Sequence, residues 1–329
     1  MTNVKTFGGI DVSKKFFDVC IMVGSKKQQV HQFNYDEQGL KALNEYLAGY
    51  KEGVHCVMEA TGAYYMKLAM YLHGKGYAVS VVNPLVIKRF SQMRLIRTKT
   101  DKADAVMIAQ YAQREQPKLW EPPKDYIIKL QQLEALSDQL QKQRTALLCQ
   151  REAFSSTQMM DKEIELLMKS NIVHLEKQLE KIAERMETII AGHHRQMLNN
   201  VESIPGIGRK TAIVLIVLSG GFKKFSNYRQ LSAYIGLSPR IYESGSSVKG
   251  KARICKMGMS RIRALLYVCA WSAKRCNKAC KDLYDRLVEK GKSKRLALIA
   301  VANKLVKQAF AIAISNQPYQ ENYSKNICF

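Results

Sequence analysis

Hydrophobic and polar positions alternate in short blocks over the first hundred residues. Three apolar or alternating segments, separated by Ser, Lys and Gly turns, predict consecutive strands at residues 4–13, 16–24 and 28–36. Leu40, Leu43 and Leu47 then recur at helical spacing behind an acidic start and predict a helix over residues 36–50.

Two more strand-like segments follow, each succeeded by a helical pattern. The strands are predicted at residues 53–60 and 77–84, and the helix between them runs from about Ala63 to His73. Consecutive strands that then alternate with helices indicate an α/β domain with a mixed sheet. We assign this domain to residues 1–122.

The pattern changes after Pro122 and Pro123. The next segment is polar, rich in Leu, Gln, Lys and Glu, and contains no further proline or glycine until Gly192. Leucines recur on one stripe, at Leu130, Leu133, Leu136, Leu140 and Leu147. The stripe predicts a helical arm over residues 123–200, either an antiparallel or dimerising coiled coil or a helical hairpin packed on its own domain.

Residues 201–329 combine apolar helical stripes with Arg and Lys faces, which predicts a mainly α-helical domain with a basic exterior. This domain opens with SIPGIGRKTA. An apolar-Pro-Gly-apolar-Gly turn between helices is typical of a helix-hairpin-helix, in which Gly206 and Gly208 would let backbone amides approach a phosphate beside Arg209 and Lys210.

Composition and charge narrow the classes of partner. With 47% hydrophobic and 24% charged residues the chain is an ordinary globular protein, and its net charge of +24 predicts a polyanionic partner. From residue 201 onward, 24 Lys and Arg face 6 Asp and Glu, so most of the excess lies in the last third. No apolar run approaches the length of a membrane span, so we expect a soluble cytoplasmic protein.

The eight cysteines form no CxxC pair and sit mostly in apolar segments. We therefore expect buried free thiols in a reducing compartment. Cys276 and Cys280 could share a helix face, but no nearby histidines complete a zinc set.

Four acidic residues stand out by position. Asp11 follows the apolar stretch FGGI, Glu59 ends VHCVM, and Asp101 and Asp104 lie three apart at a predicted helix start. Singly, each could satisfy turn amides or cap a helix. Together they follow the order of RNase H-like nuclease domains, where hard cations such as Mg²⁺ or Mn²⁺ offset the repulsion between the carboxylates.

Several motifs resemble one family of known proteins. GIDVSKKFFDV, MEATGAYY, VNPLVIKRF, RTKTDKADAVMIA and YIGLSPRIYESGSSVKGKARICKMGMSRIRALLY resemble the DEDD transposases of bacterial insertion sequences. That family includes Piv-type DNA invertases and bridge-RNA-guided recombinases. The resemblance extends from about residue 7 to 310.

The resemblance implies a RuvC-like domain in which Asp11, Glu59, Asp101 and Asp104 bind magnesium, and a transposase domain whose serine attacks DNA and becomes phosphoserine-linked to it. The family pattern points to Ser244 as that nucleophile, while the motif alone leaves Ser246 and Ser247 open. The resemblance further implies donor and target DNA, a structured guide RNA, and a homo-oligomer, a dimer that assembles to a tetramer on DNA.

Basic residues beside these motifs are the predicted phosphate contacts, because Lys and Arg read backbone charge. Three precede the acidic helix and the others follow the serine motif: Arg94, Arg97, Lys99, Lys249, Lys251, Arg253, Lys256, Arg261 and Arg263. The helix-hairpin-helix residues Gly206, Gly208, Arg209 and Lys210 complete the predicted set. Lys274 and Arg275 follow Arg263 in the helical pattern RIRALLYVCAWSAKRC.

Two other functions remain open at this level. A RuvC-like nuclease or junction resolvase would use water as the nucleophile, so no covalent protein-DNA adduct would form. A non-catalytic architectural DNA-binding protein would bind without metal and would tolerate Asp11→Ala.

Overall fold

The computed structural model describes residues 6–24, 26–27, 29–50, 53–95, 100–240, 243–244, 248–249, 253–255 and 257–321. The chain forms two compact units, Met1–Pro123 and Lys124–Phe329. The first unit ends at the second residue of the Pro122–Pro123 pair. The predicted subdivision of the second unit at residue 200 stays a prediction.

The first unit is built on a sheet of six strands. The strands are β1 (Thr6–Val12), β2 (Phe16–Val23), β3 (Lys26–Lys27), β4 (His31–Asn34), β5 (His55–Glu59) and β6 (Ala78–Val82). The helices described in this unit are α1 (Glu37–Ala48), α2 (Tyr64–Gly74), α3 (Pro84–Met93) and α4 (Asp101–Glu115). The five strands and the helices predicted from the pattern all form, and the two-residue β3 is an addition.

The sheet is mixed, as predicted. Its order is β3-β2-β1-β5-β6, with β4 also paired to β2. Strands β1 and β2 form an antiparallel hairpin, whereas β5 runs parallel to both β1 and β6. The carboxyl ends of β1 and β5 therefore reach the same edge of the sheet.

Helix α4 packs unusually closely on β1 and β2. A Cβ atom on Gly9 would lie only 2.1 Å from the backbone nitrogen of Ala109 and 2.3 Å from the carbonyl oxygen of Ala105. Ala105 and Ala109 pack with Cys20 and Met22 of β2 in a small buried cluster. A glycine in the strand and alanines in the helix thus set the distance between α4 and the sheet.

The second unit is mainly helical, in agreement with its sequence pattern. Its elements are α5 (Asp125–Ser156), α6 (Lys162–Glu202), α7 (Arg209–Ser219), α8 (Tyr228–Ile235), β7 (Pro239–Arg240), β8 (Glu243–Ser244), β9 (Val248–Lys249), β10 (Arg253–Ile254), α9 (Ser260–Cys276), α10 (Lys278–Glu289) and α11 (Lys294–Ser315). The short strands form two antiparallel pairs, β7 with β10 and β8 with β9.

Helices α5 and α6 pack against each other as the predicted helical arm. Near its base, Leu130, Leu140, Ile182 and Ile190 join the same hydrophobic core as helices α7 to α11. One predicted alternative, a hairpin packed on its own domain, therefore describes the base of the arm. Whether the arm also forms a coiled coil with a second copy stays a prediction.

Helix α6 kinks at His194, where φ is −141°. The Tyr126 hydroxyl and His194 Nε2 lie 2.8 Å apart, and Tyr126 stacks on His193 at a centroid distance of 3.9 Å. The ring of His194 also lies against Gly221, where a Cβ would come within 2.9 Å of the imidazole Cε1. Contacts from both sides thus hold the kink.

Helix α11 is, by length and composition, long and apolar enough to cross a membrane. Half of that apolar stretch is buried inside the unit, where Leu298, Val301 and Leu305 join the core beside α9 and α10. This burial is typical of the central helix of a helical domain.

The described cysteines are all free thiols. Four of them, Cys20, Cys56, Cys269 and Cys280, are buried as expected, whereas Cys149 and Cys276 are exposed and Cys255 is intermediate. No metal set that includes Cys276 or Cys280 occurs among the described side chains.

The contact at Gly9 generates a stability prediction. We expect Gly9→Ala to lower the free energy of unfolding by about 2–4 kcal/mol, because the new methyl group overlaps helix backbone that cannot rotate away. Urea unfolding followed by circular dichroism measures this change.

Gly74→Ala is the matched control, since a Cβ there has no neighbour within 4 Å. A Gly9→Ala protein as stable as Gly74→Ala would show that α4 is not held at this distance by the glycine.

Candidate active site

The four predicted carboxylates come from three elements of the first unit. Asp11 is the penultimate residue of β1, Glu59 ends β5, and Asp101 and Asp104 lie in the first turn of α4. Thr100 fixes the start of α4, because its hydroxyl accepts a hydrogen bond of 3.2 Å from the Ala103 amide. Thr61 similarly donates a short hydrogen bond to Glu59.

The pKa of Asp11 shows that the other predicted carboxylates act on it electrostatically. Its pKa is raised from 3.8 to about 7, first by burial and then by repulsion from Asp104, Asp101, Glu59 and Asp18, in that order. The structure thus brings Glu59, Asp101 and Asp104 close enough to Asp11 to act on its charge.

The same carboxylates do not form a closed ligand shell. Among the described side chains, no three His, Cys, Asp or Glu groups are arranged so that they could already hold a metal ion. The raised pKa of Asp11 and the open arrangement are compatible, because carboxylates repel one another at distances too long for them to share one metal ion. The arrangement is a half-buried concentration of negative charge at one edge of the sheet.

Asp18 is a fifth carboxylate that the sequence reasoning missed. It lies directly opposite Asp11 in the antiparallel register of β1 and β2, so both side chains stand on the same face. Asp18 is 1% exposed, and Gln32 Nε2 donates to its two oxygens at 3.3 and 3.4 Å. Burial raises the pKa of Asp18, the Gln32 hydrogen bond opposes that shift, and Asp101 adds to it.

A signal for Asp18 was present in the sequence. Two strands joined by the short turn at residues 13–15 fix their own register, and that register pairs Asp11 with Asp18. Within its own segment Asp18 carries no such signal, because FFDVCIMV has the pattern of an apolar strand with a single acidic position.

Ser244 lies in the second unit, at the end of β8. In the β8–β9 pair, Ser244 is opposite Val248 and Glu243 is opposite Lys249. The alternatives Ser246 and Ser247 and the basic residues Lys251 and Lys256 lie outside the described residues, as do Arg97 and Lys99 of the first unit. The role of each remains a prediction.

The remaining residues predicted to contact phosphate differ in whether they already pair with carboxylates of the protein. Arg94, Lys210 and Arg253 are exposed. In contrast, Arg209 forms ion pairs of 2.6 Å with Glu187 and 2.7 Å with Glu202. Nucleic acid would have to compete with these two carboxylates for Arg209.

Arg261 and Arg263 also contact their own unit. Arg261 pairs with Glu134 of α5 and lies 3.7 Å from Asp138, and the Arg261 and Glu134 side chains are only 20% and 16% exposed. Arg263 donates to the carbonyl oxygen of Ile235 at 2.9 Å. Arg261 thus ties the start of α9 to the arm.

The predicted glycine turn lies between α6 and α7. Gly206 has a φ of +102°, which favours glycine, and a Cβ there would come within 2.5 Å of the Ala273 side chain. Gly208 is the exposed residue before α7. The described contacts give Gly206 a packing role, and phosphate binding at this turn stays a prediction.

Comparison with known proteins finds matches in both units of the chain. The IS110-type DEDD model, described as "Transposase", matches residues 8–157, and a model described as "Transposase IS116/IS110/IS902 family" matches residues 198–285. The pilin gene-inverting protein of Moraxella bovis is 32% identical over 96% of this chain and 98% of its own length. The transposase for insertion sequence element IS1111A of Coxiella burnetii is 24% identical over 97% of this chain and 92% of its own length.

The raised pKa of Asp11 predicts a pH-dependent stability. The folded state holds the Asp11 proton up to about pH 7, whereas the unfolded chain releases it near pH 3.8, so ionisation costs stability as the pH rises between these values. We expect Asp11→Asn to match the wild type near pH 4 and to become progressively more stable than it up to pH 7, with no further gain above.

Chemical unfolding at half-unit pH steps, in buffer stripped of divalent cations, measures this difference. Glu121→Gln controls for the loss of one exposed negative charge in the same unit. A constant difference between Asp11→Asn and the wild type from pH 4 to 7 would contradict the shared acidic environment.

The contacts of Arg261 generate a second prediction. We expect Arg261→Ala to lower the free energy of unfolding by about 2 kcal/mol, because Glu134 would be left largely buried without its partner. The control is Lys142→Ala, whose ion pair with Asp138 is largely exposed and should contribute less than ~1 kcal/mol. Equal effects in thermal unfolding would argue against a structural role for Arg261.

Proposed function

The chain belongs to the IS116/IS110/IS902 family of transposases, and from this premise we propose that it cuts and rejoins DNA through a serine nucleophile assisted by a divalent cation. Membership confirms the resemblance found in the motifs. It makes the chain a DNA recombinase of the transposase and DNA-invertase kind. The cation, the serine intermediate and the RNA guide are the parts that we propose.

The observation that carries the proposal is the environment of Asp11. A half-buried carboxylate that four others repel is unfavourable in its charged form, so burial and then this repulsion raise its pKa to about 7. Oxygen-only donors of this kind fit Mg²⁺ and also Mn²⁺. We propose that Asp11, Glu59, Asp101 and Asp104 hold the cation, as in the family pattern.

When bound, the cation supplies Lewis-acid polarisation of a phosphate oxygen. The chain provides the position: the sheet fixes Asp11 and Glu59 at neighbouring strand ends, and the Thr100 cap fixes the first turn of α4. Asp18 lies beside Asp11 and is held by Gln32, so it adds negative charge without facing solvent.

We assign the nucleophile to Ser244. Its Oγ attacks the scissile phosphorus, the Oγ–P bond forms, and the bond between phosphorus and the leaving DNA oxygen breaks. The hydroxyl proton passes to solvent, and the departing oxygen takes up a proton as it becomes a free hydroxyl. Lys249, Lys251, Arg253 and Lys256 follow Ser244 in sequence and would offset the phosphate charge.

Sequence choice by a structured bridge RNA is a further part of the proposal. It is supported by the family resemblance and is compatible with the net charge of +24, which favours any nucleic acid. In such a division of labour the protein recognises backbone and shape while base pairing recognises sequence. A protein acting on bacterial DNA in this way would work in the cytoplasm.

Assembly into a dimer, and into a tetramer on DNA, is proposed from the same resemblance. The arm offers a surface for it, since α6 exposes Ile164, Leu166, Leu167 and Val173. Pairing two DNA duplexes requires at least two copies of each catalytic group, which an oligomer supplies.

A second candidate function is supported by the same carboxylates. A RuvC-like nuclease or junction resolvase would use them to activate water, and Ser244 would then be an ordinary residue of the β8–β9 pair. The two functions differ in one product, because only the serine reaction leaves protein covalently attached to a DNA end.

We expect a covalent adduct when the protein is incubated with element-end DNA, target DNA, Mg²⁺ and RNA transcribed from the flank of the element. A denaturing gel measures it as labelled DNA that migrates with protein. The adduct should disappear in Ser244→Ala, in Asp11→Ala and in the absence of Mg²⁺.

Ser246→Ala and Ser247→Ala are the matched controls, because they remove neighbouring hydroxyls from the same motif. Loss of the adduct in only one of these variants would assign the nucleophile to that serine instead of Ser244. Cleaved DNA without adduct, unchanged in Ser244→Ala, would establish the resolvase reaction instead.

A further inference from the structure

Helix α9 presents an apolar strip to the solvent. Its inner face is buried through Ile262, Leu266, Cys269, Ala270 and Ala273. On the outer face, Val268 is 67% exposed and Trp271, three residues further along the helix, is 49% exposed. Both side chains are normally buried, so an outward-facing Val-Trp pair needs an explanation.

The indole of Trp271 is held in place by its neighbours. The Lys274 ammonium lies 4.1 Å from the Trp271 ring centroid and 5.0 Å from that of Tyr284, so it sits against two aromatic rings. Tyr284 belongs to α10 and packs on the core of the unit. The exposed indole is therefore a preorganised surface with a cation fixed against its ring.

The charge around this strip favours an anionic partner. Residues 244–281 contain ten Lys and Arg and no Asp or Glu. Beside Trp271, Arg275 is exposed at the end of α9, and Lys278 and Lys281 are exposed at the start of α10. The first carboxylates, Asp282 and Asp285, follow on α10.

An aromatic ring flanked by cations is the arrangement with which proteins bind unpaired nucleotides, because every base has a π face and every nucleotide a phosphate. A protein partner would not require the excess of cations, and a fully paired duplex offers no free base to an indole. The observations therefore favour single-stranded nucleic acid.

We propose that Trp271 stacks on an unpaired DNA base, with Val268 against the adjacent sugar or base and Lys274 and Arg275 beside the phosphates. This inference rests on the proposed function, since strand exchange exposes unpaired DNA. It assigns to the outer face of α9 the task of holding a strand that has left its duplex.

Fluorescence can isolate Trp271, because the chain contains only one other tryptophan, Trp120. In a Trp120→Phe background we expect emission from Trp271 to be quenched by a single-stranded DNA oligonucleotide and not by a blunt duplex of the same sequence. Anisotropy of the labelled strand should show a Kd about tenfold weaker in Trp271→Ala, and a Kd within about threefold of the parent in Trp271→Phe, which retains a ring.

Ile314→Ala, which shortens another exposed apolar side chain of the second unit, is the control and should leave the Kd unchanged. Circular dichroism verifies that each variant folds. Equal weakening for single strand and duplex, or single-strand binding without quenching and without an effect of Trp271→Ala, would overturn base stacking.

A parallel titration with RNA of the same sequence distinguishes the source of the base. Quenching by RNA alone would overturn the assignment to DNA. If the parent protein binds no oligonucleotide at all, the proposed function fails as well, whereas binding that ignores Trp271 defeats only this inference.

Discussion

Close contact between the backbone of α4 and the bare Cα of Gly9 is the constraint on which the acidic centre depends. Alternate residues of a strand share a face, so Gly9 and Asp11 both point toward α4. On the helix, Asp101 precedes Ala105 and Ala109 at intervals of four residues and lies on the same stripe. Because Gly9 has no side chain, α4 approaches the strand closely and its first turn brings Asp101 and Asp104 near Asp11.

Much of this arrangement could be predicted from the sequence. Turn residues separate the strands, apolar residues mark the helix faces, and the order of the acidic residues indicates which strand ends and helix they occupy. The distance between α4 and the sheet could not be predicted, because it depends on Gly9 and on two alanines of α4 that lie far along the chain from it. Asp18 was not predicted for a similar reason. The pairing of β1 with β2 places it opposite Asp11, and the segment around Asp18 does not indicate this.

Charge alone could not separate structural cations from those available to nucleic acid. Arg209 and Arg261 belong to strongly basic motifs, yet each is paired with carboxylates supplied by the arm. Glu187 lies 22 positions before Arg209 and Glu134 lies 127 positions before Arg261, so spacing gave no indication of these two pairs. The arm is thus joined to the last helices by ion pairs as well as by the shared core at Leu130 and Ile190.

The division of the chain into two units has a consequence for how the protein is made. The first unit contains all four predicted carboxylates and its own hydrophobic clusters, so it can fold as soon as residue 123 has left the ribosome. Ser244 is not yet translated at that moment. At roughly 5–20 residues per second, synthesis from residue 123 to Ser244 takes on the order of 6–24 s. During that interval the nascent protein contains the acidic residues of the first unit but lacks Ser244, the proposed nucleophile.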